Sequence, residues 1–198
     1  MTTPPLIVGI TGASGAPYAV RLLQQLTAAH RSVSLIVSKY GMRLLEAEMG
    51  VGSVEALRDA VGTSGWDSCI QTYSNDDRGA PPASGSALTS GMIVCPCSMA
   101  TLSAISVGAS RSLIERAADV TLKEKRKLVL VPRETPLSAI HLANMLRLTR
   151  AGAVVMPASP GFYHRPQQIS DLVDFVVARM LDHLHVEQSL VKRWEGEQ

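Results

Sequence analysis

The sequence predicts an α/β fold, namely a single-domain, doubly wound, Rossmann-like parallel sheet with helices on both faces. Short apolar segments of strand length alternate along the chain with segments that have helical spacing. The strand segments are apolar throughout, which is typical of strands buried on both faces of a parallel sheet. The chain has 198 residues, 46% of them hydrophobic, and can bury one substantial core. We therefore expect one domain over residues 1–198.

The predicted elements follow one another in a regular order. The core strands are Leu6–Ile10, Val33–Val37, Met92–Cys95, Leu128–Val131 and Val154–Met156. The helices are Tyr18–Thr27, one from about Tyr40, one opening near Ser98, Leu137–Leu148 and Ile169–Leu184. Because ligands bind outside the carboxyl ends of such strands, the loops that follow the strands are expected to converge on one site.

One region breaks the alternation. Between Ser64 and Ser90 the composition is typical of turns and loops, with only Cys69–Tyr73 resembling a strand. A loop of that length in a compact domain is usually functional or mobile. We expect its part from Asn75 to Ser86 to help close a site.

Composition and charge exclude several classes of function. The formal net charge is +2, from 19 basic and 17 acidic residues spread along the chain, so no basic stripe indicates nucleic-acid binding. The apolar runs are far shorter than the roughly 20 residues that span a bilayer. Met1–Pro5 lacks the features of a secretory signal, which predicts a cytoplasmic protein without a membrane segment.

The cysteines and histidines predict no metal site. Cys69, Cys95 and Cys97 leave an odd thiol in any disulfide scheme, and the Cys-Pro-Cys spacing lacks a second pair of zinc ligands. Reduced, buried thiols are favoured. His141 has no second histidine at metal spacing and is interpreted as a helix-face residue.

Two strand ends are followed by small and hydroxylic residues. Thr11-Gly-Ala-Ser-Gly15 joins the first strand to a helix, where glycines allow close backbone approach and free helix N–H groups can face a phosphate. Ser98-Met-Ala-Thr101 repeats this arrangement later in the chain. Either segment can instead be an ordinary helix cap, because the dinucleotide and P-loop glycine patterns are both missing.

Two further loops carry charged and aromatic residues. Val131-Pro-Arg-Glu134 places an arginine beside a carboxylate, suited to phosphate pairing and proton transfer, with a surface ion pair as the alternative. Tyr163 in Gly161-Phe-Tyr-His-Arg165 can donate to a phosphate or anchor its loop. Taken singly, the helical cations Arg116, Lys123 and Arg179 are interpreted as surface charges.

Several of these segments together resemble a known family. They are Thr11-Gly-Ala-Ser-Gly-Ala16, Ala80-Pro-Pro-Ala-Ser-Gly-Ser86, Cys95-Pro-Cys-Ser98, Leu113-Ile-Glu-Arg-Ala-Ala-Asp119, Leu128-Val-Leu-Val-Pro-Arg-Glu134 and Pro160-Gly-Phe-Tyr-His164. In this order they closely resemble the UbiX-like flavin prenyltransferases, from about Leu6 to Trp194. The later segments are more specific than the glycine turn.

The resemblance implies a site for flavin mononucleotide (FMN). The implied flavin-binding residues are Gly12, Ala13, Ser14, Ser38, Ser98, Met99, Ala100, Thr101 and Arg133. The flavin phosphate would meet the helix starts near Gly15 and Ser98.

The resemblance also implies a site for the prenyl donor, dimethylallyl phosphate. Lys123, Tyr163 and Arg179 would bind its phosphate, with Ser84, Gly85 and Arg116 contributed across a subunit interface. Trp194 matches a family tryptophan and would supply an aromatic wall. Some relatives have another tryptophan just before the Ala80 segment, where this chain has Asp77-Arg78-Gly79.

The implied reaction joins a dimethylallyl group to N5 and C6 of reduced FMN without a metal. Glu134 would transfer a proton, Ser14 would lie near N5, Glu48 would support the site, and Lys123 would belong to the catalytic phosphate clamp. The product, prenylated FMN, would serve a UbiD-like decarboxylase. The resemblance also implies a homo-oligomer, commonly a dodecamer, with the tail from about residue 186 lying over the site or on a neighbouring subunit.

Two other functions are compatible with the same fold. A flavin-dependent decarboxylase of the peptidyl-cysteine type would need a peptide groove and a histidine base, for which His141 is the candidate. A non-catalytic FMN carrier would need only the flavin cradle.

Overall fold

A computed structural model describes residues 3–192 and contains one six-stranded sheet. The strands are β1 (Leu6–Ile10), β2 (Val33–Val37), β3 (Ile70–Ser74), β4 (Met92–Cys97), β5 (Leu128–Pro132) and β6 (Val154–Val155). The helices are α1 (Ala16–Ala28), α2 (Lys39–Met49), α3 (Val54–Val61), α4 (Thr63–Cys69), α5 (Met99–Ser106), α6 (Leu113–Lys123), α7 (Ala139–Arg150) and α8 (Ile169–His183).

All strand pairs are parallel, in the order β3-β2-β1-β4-β5-β6. The chain therefore winds outward in one direction from β1 and in the other direction from β4. The predicted doubly wound sheet is confirmed. Such a sheet has a crevice outside the carboxyl ends of the two central strands, where the winding reverses.

Alternating residues of the strands pack into two hydrophobic cores, one on each face of the sheet. In β1, Leu6, Val8 and Ile10 pack with residues of α1 and α8 in what we call the first core cluster. Ile7 points to the other face, whose cluster includes residues of α5 and α6. Because both faces are covered, the central strands β1, β4 and β5 are buried throughout and lack the polar alternation of a half-exposed sheet, whereas the edge strand β3 is largely exposed.

The segment with the weakest sequence pattern is largely structured. It contains α4, β3 and a short 3₁₀ helix at Pro81–Ala83. Trp66 of α4 is buried in the first core cluster, and Asn75 caps α6 by accepting from Ile114 N at 3.2 Å. The prediction of a long loop was too broad, because these elements are short and depend on distant packing partners.

The described part of the C-terminal tail follows α8 and packs on its own chain. Val186 is buried in the first core cluster, and Leu184 and Leu190 pack against it. Trp194 lies outside the described residues. Within residues 3–192, no helix is both long enough and apolar enough to cross a membrane.

Candidate functional site at the carboxyl ends of the central strands

Thr11 joins the loops that follow β1 and β4. Its hydroxyl donates to the carbonyl of Pro96 at 2.8 Å and accepts from the backbone N–H of Ser98 at 2.8 Å. The side chain is buried, with 2% of its surface exposed. This pair of hydrogen bonds holds the glycine turn against the start of α5, across the point where the winding of the sheet reverses.

Glu48, near the end of α2, caps the N-terminus of α1. One carboxylate oxygen accepts from Gly15 N at 2.9 Å and from Ala16 N at 2.8 Å. Gly15 itself supplies no side-chain cap. The expectation that a ligand phosphate meets this helix start is therefore wrong for this structure, because an internal carboxylate already holds its free amides.

The starts of α2 and α5 remain as anion-facing ends beside the glycine turn. Ser38 caps α2 by accepting from Gly41 N at 3.0 Å, and Ser98 caps α5 by accepting from Thr101 N at 3.2 Å. The Ser98 hydroxyl also donates to the Thr101 hydroxyl at 3.1 Å. A Cβ atom at Gly12 would lie 2.5 Å from Cβ of Tyr40, so glycine is needed for this close packing. Both helix ends carry partial positive charge.

Arg133 and Glu134 follow β5 at the same edge of the sheet. Nε of Arg133 is buried and has no hydrogen-bond partner among residues 3–192. Buried guanidinium donors are normally paired, so this atom indicates a missing acceptor. Glu134 is exposed, and its carboxylate accepts from Thr135 N at 3.0 Å. The structure thus brings together the residues implied to bind flavin and one implied to move a proton.

Ser84, Gly85 and Lys123 lie together at the opposite edge of the sheet. Lys123 ends α6 and forms an ion pair with Glu124, which lowers the Glu124 pKa through hydrogen bonding and charge. A Cβ atom on Gly85 would lie 2.8 Å from Nζ of Lys123. Arg126, just before β5, holds the Gly85 carbonyl at 2.7 Å. Helix α6 has 11 residues, so Lys123 lies about 15 Å along it from the carboxyl edge.

Tyr163 and Arg179 line a cavity of about 370 Å³ on the α8 face of the sheet. Phe175, Asp182 and Lys192 also line it. Arg179 pairs with Asp182 at 3.0 Å. Lys123 is not among the lining residues, because α6 belongs to the other face. One chain therefore does not unite Lys123 with Tyr163 and Arg179.

Arg116 is half-buried on α6 and pairs with Asp119 at 3.1 Å. This carboxylate also accepts from the Ser110 hydroxyl at 3.4 Å. An arginine with a fixed carboxylate partner presents its remaining N–H groups in a defined direction. Arg116 lies near the start of α6, in the helix layer on the face of the sheet opposite α8.

Cys95 and Cys97 of β4 are buried, free thiols, as predicted, whereas Cys69 is a free thiol that is only partly buried, contrary to the prediction. Burial raises the pKa of Cys97 to about 12 and also raises the pKa of Cys95. Both groups are therefore neutral near pH 7 and are poor nucleophiles. No group of side chains suited to hold a metal ion occurs within residues 3–192.

Comparisons with known proteins agree with this arrangement. The model of the family described as Flavoprotein matches residues 1–181. The chain is 49% identical to the flavin prenyltransferase UbiX of Pseudomonas aeruginosa, over 98% of this chain and 94% of that protein. The chain belongs to the UbiX-like flavin prenyltransferase family. The family inferred from the sequence motifs is confirmed.

Solved structures of UbiX and UbiX-like proteins have the same fold. AnUbiX, in a crystal structure with FMN and dimethylallyl pyrophosphate, superposes with a TM-score of 0.91 and 41% identity, covering 99% of this chain and all of that one. A dodecameric FMN-dependent UbiX-like decarboxylase from Escherichia coli O157:H7 gives a TM-score of 0.89 and 44% identity, covering 97% of this chain and all of that one.

The glycine turn, the starts of α2 and α5, and Arg133 together form what we call the flavin cradle. This cradle fits the flavin of a flavin prenyltransferase. The unpartnered Arg133 Nε can donate to a flavin oxygen or phosphate, and the helix starts at Ser38 and Ser98 can face the phosphate. Sequence reasoning missed Thr11 as the link between the loops, although its motif was noticed. It also missed Phe175, whose ring stacks on His164 at 5.1 Å and whose only sequence signal is an apolar position in α8.

Proposed function

We propose that the protein transfers a dimethylallyl group from dimethylallyl phosphate to N5 and C6 of reduced FMN, giving prenylated FMN. The observation that carries this proposal is the buried, unpartnered Nε of Arg133 at the same edge of the sheet as two serine-capped helix starts, in a chain of this family. Reduced FMN supplies the electron-rich ring that accepts the prenyl group. The remaining steps depend on the protein's own residues.

The residues of the carboxyl edge would bind and orient FMN. The hydroxyl groups and helix-end amides at Ser38, Ser98 and Thr101 would hold the phosphate, and Arg133 would fix a flavin oxygen. Gly12, Ala13 and Ser14 would bring the backbone close to the ring, with Met99 and Ala100 forming part of the surrounding wall. The hydrogen bonds of Thr11 hold the loops after β1 and β4 in fixed relative positions, which preserves the geometry that the reaction needs.

Glu134 and Ser14 would act near the reacting atoms. Glu134 lies at the exposed rim, next to Arg133, where a carboxylate can accept a proton as the new ring forms. Ser14 precedes the two amides that Glu48 holds, so the Glu48 carboxylate sets the position of Ser14 by fixing the turn. Glu48 is thus a positioning residue in this proposal.

The donor site would be assembled from more than one subunit. Tyr163 and Arg179 line one cavity, whereas Lys123 lies beside Gly85 on the other face of the sheet. Lys123 would therefore arrive from a neighbouring subunit together with Ser84, Gly85 and Arg116. The clamp would stabilise the leaving phosphate, and Trp194 would cover the site from the tail. We propose a homo-oligomer, with a dodecamer as the expected assembly.

The same proposal includes a recipient for the product and a location for the enzyme. Prenylated FMN would be released to a UbiD-like decarboxylase, and the enzyme would work in the cytoplasm as a single flavoprotein domain over residues 1–198. No nucleic acid or membrane is needed for this reaction.

The direct test is anaerobic incubation of the purified protein with reduced FMN and dimethylallyl phosphate, followed by mass spectrometry of the released flavin. A flavin heavier by one five-carbon unit supports the proposal. The same assay with the diphosphate identifies the donor. Unmodified flavin with both donors on a flavin-saturated protein would reject the transferase and leave an FMN carrier.

A mixing experiment tests the shared site. Lys123→Gln and Glu134→Gln subunits are each expected to be nearly inactive alone. If Lys123 and Glu134 of one site come from different chains, random mixed oligomers should regain about a quarter of wild-type activity, because one site in four then receives both native residues. Mixed oligomers with no recovered activity would place both residues in one chain's site.

The cysteine decarboxylase alternative has less support in the site. Nδ1 of His141 accepts from Ser138 N at 3.3 Å as half of a capping box at the start of α7. The histidine proposed as its base is therefore engaged in a helix cap. Release of carbon dioxide from a cysteine-ended peptide would restore that alternative.

A further inference from the structure

The cavity beside α8 combines an apolar wall with a polar end. Phe175 and Ala178 supply apolar surface, and the ring of Tyr163 lies edge-on to Phe175 with centroids 5.6 Å apart. Arg179, Asp182 and Lys192 supply the charges. An amphiphile with a short hydrocarbon chain and an anionic head matches this distribution of surface.

The charges of the cavity show which residue makes it attractive to an anion. Arg179 and Asp182 form an ion pair at 3.0 Å, so their charges largely cancel. Among the lining residues that the structure describes, Lys192 is the remaining cation. Without it, the described lining has no net positive charge to balance a phosphate.

The position of Lys192 is built by the tail. The Gln188 side chain accepts from Leu190 N at 2.9 Å and from Val191 N at 3.3 Å, which turns the chain back over α8. Leu190 and Val186 pack against the core under this turn. Gln188 and Val191 also line the cavity, so the turn itself forms one of its walls.

We propose that Lys192 is a phosphate-binding residue for the prenyl donor, delivered by the Gln188 turn to the Arg179 end of this cavity. This inference rests on the proposed prenyl transfer, because it assigns the anion to the donor's phosphate. Arg179 stays paired with Asp182 and fixes the orientation of the phosphate. Lys192 adds net positive charge from the same chain, beside the Lys123 and Arg116 that a neighbouring subunit would contribute. The C-terminal segment is thereby part of the donor site.

The test is equilibrium binding of dimethylallyl phosphate to the full-length protein loaded with oxidised FMN, measured by titration calorimetry. Because oxidised FMN lacks the electrons for the reaction, binding is read without turnover. Lys192→Gln should raise the donor Kd about five-fold and weaken its dependence on salt, whereas Lys192→Arg should stay within about two-fold of wild type. FMN affinity should not change.

Arg150→Gln is the matched control, since it removes an exposed cation from α7, on the other face of the sheet. It should leave the donor Kd unchanged. A donor Kd of Lys192→Gln equal to that of wild type, in a protein whose wild type prenylates FMN, overturns the inference while preserving the proposed function. A wild-type protein that binds donor but never prenylates FMN rejects the proposed function instead.

Discussion

The Thr11 hydroxyl donates to the Pro96 carbonyl across 85 positions of sequence. With the return bond from Ser98 N, it ties together the two loops that flank the central crevice. Both partners belong to segments that form the proposed flavin cradle. One buried hydroxyl group therefore adds two hydrogen bonds to the backbone bond from Thr11 N to the Pro96 carbonyl, at 3.2 Å, that also joins these loops.

Thr11→Val should weaken both the fold and the cradle. Valine keeps the shape of threonine but leaves the Ser98 amide without its acceptor, whereas the Pro96 carbonyl keeps the bond from the backbone N–H at position 11, and the loss costs about 1–3 kcal/mol of unfolding free energy. Chemical denaturation measures this loss, and flavin fluorescence should show weaker FMN binding. Thr11→Ser keeps the hydroxyl and should retain most FMN affinity. Equal FMN affinity in Thr11→Val and wild type would contradict the proposed role of this link.

Glu48→Ala should destabilise the start of α1. The substitution removes the acceptor of the Gly15 and Ala16 amides, and loss of a helix cap costs about 1 kcal/mol. We expect a lower unfolding free energy and a lower kcat, because the turn that carries Ser14 loses its support. Glu46→Ala is the control on the same helix, since Glu46 is exposed and does not reach α1. Equal stability of the two variants would contradict this role of Glu48.

Gly85→Ala should impair turnover more than stability. The added Cβ would meet a carboxylate oxygen of Glu124 first and would lie 2.8 Å from Nζ of Lys123, and the far ends of both flexible side chains can move away. Displacing the Lys123–Glu124 ion pair should reduce kcat/KM for dimethylallyl phosphate about ten-fold, a loss of about 1.4 kcal/mol, with little change in Tm. Gly79→Ala, in the same loop, is the control and should keep wild-type kinetics. A variant with normal kcat/KM would remove Lys123 from the donor site.

The buried thiols should resist alkylation. The pKa of Cys97 is raised to about 12 by burial, and that of Cys95 is raised as well. At pH 8 iodoacetamide should modify the native protein at Cys69 alone, and all three cysteines after denaturation, as counted by mass spectrometry. Because unfolded thiols ionise near pH 8.5, unfolding free energy should fall as pH rises from there towards 12. Rapid modification of Cys97 in the native protein would contradict its burial.

Local patterns sufficed for most of the fold. The apolar runs at Leu6–Ile10 and Leu128–Val131 predicted strands because a strand buried on both faces needs apolar side chains at every position. Their alternation with helices predicted the doubly wound order. The short elements α3 and α4 were not predicted, since few residues carry each pattern and tertiary packing, as at Trp66, decides their formation.

The site was predicted in part. The segments Thr11–Gly15, Ser98–Thr101 and Val131–Glu134 end strands of one parallel sheet, so their meeting at one edge follows from topology. The occupation of the α1 start by Glu48 did not follow, because that contact joins residues 33 apart whose spacing has no local pattern.

The sequence by itself determined the fold class, the family and the loops that carry the chemistry, because these depend on local periodicity and on ordered motifs. Only the tertiary structure decided which helix starts stay open to a phosphate. It also decided that Lys123 lies beside Gly85 and that Lys192 lines the same cavity as Arg179. Those relationships join distant segments across both faces of the sheet. They are set by packing, which brings together residues that no spacing along the chain connects.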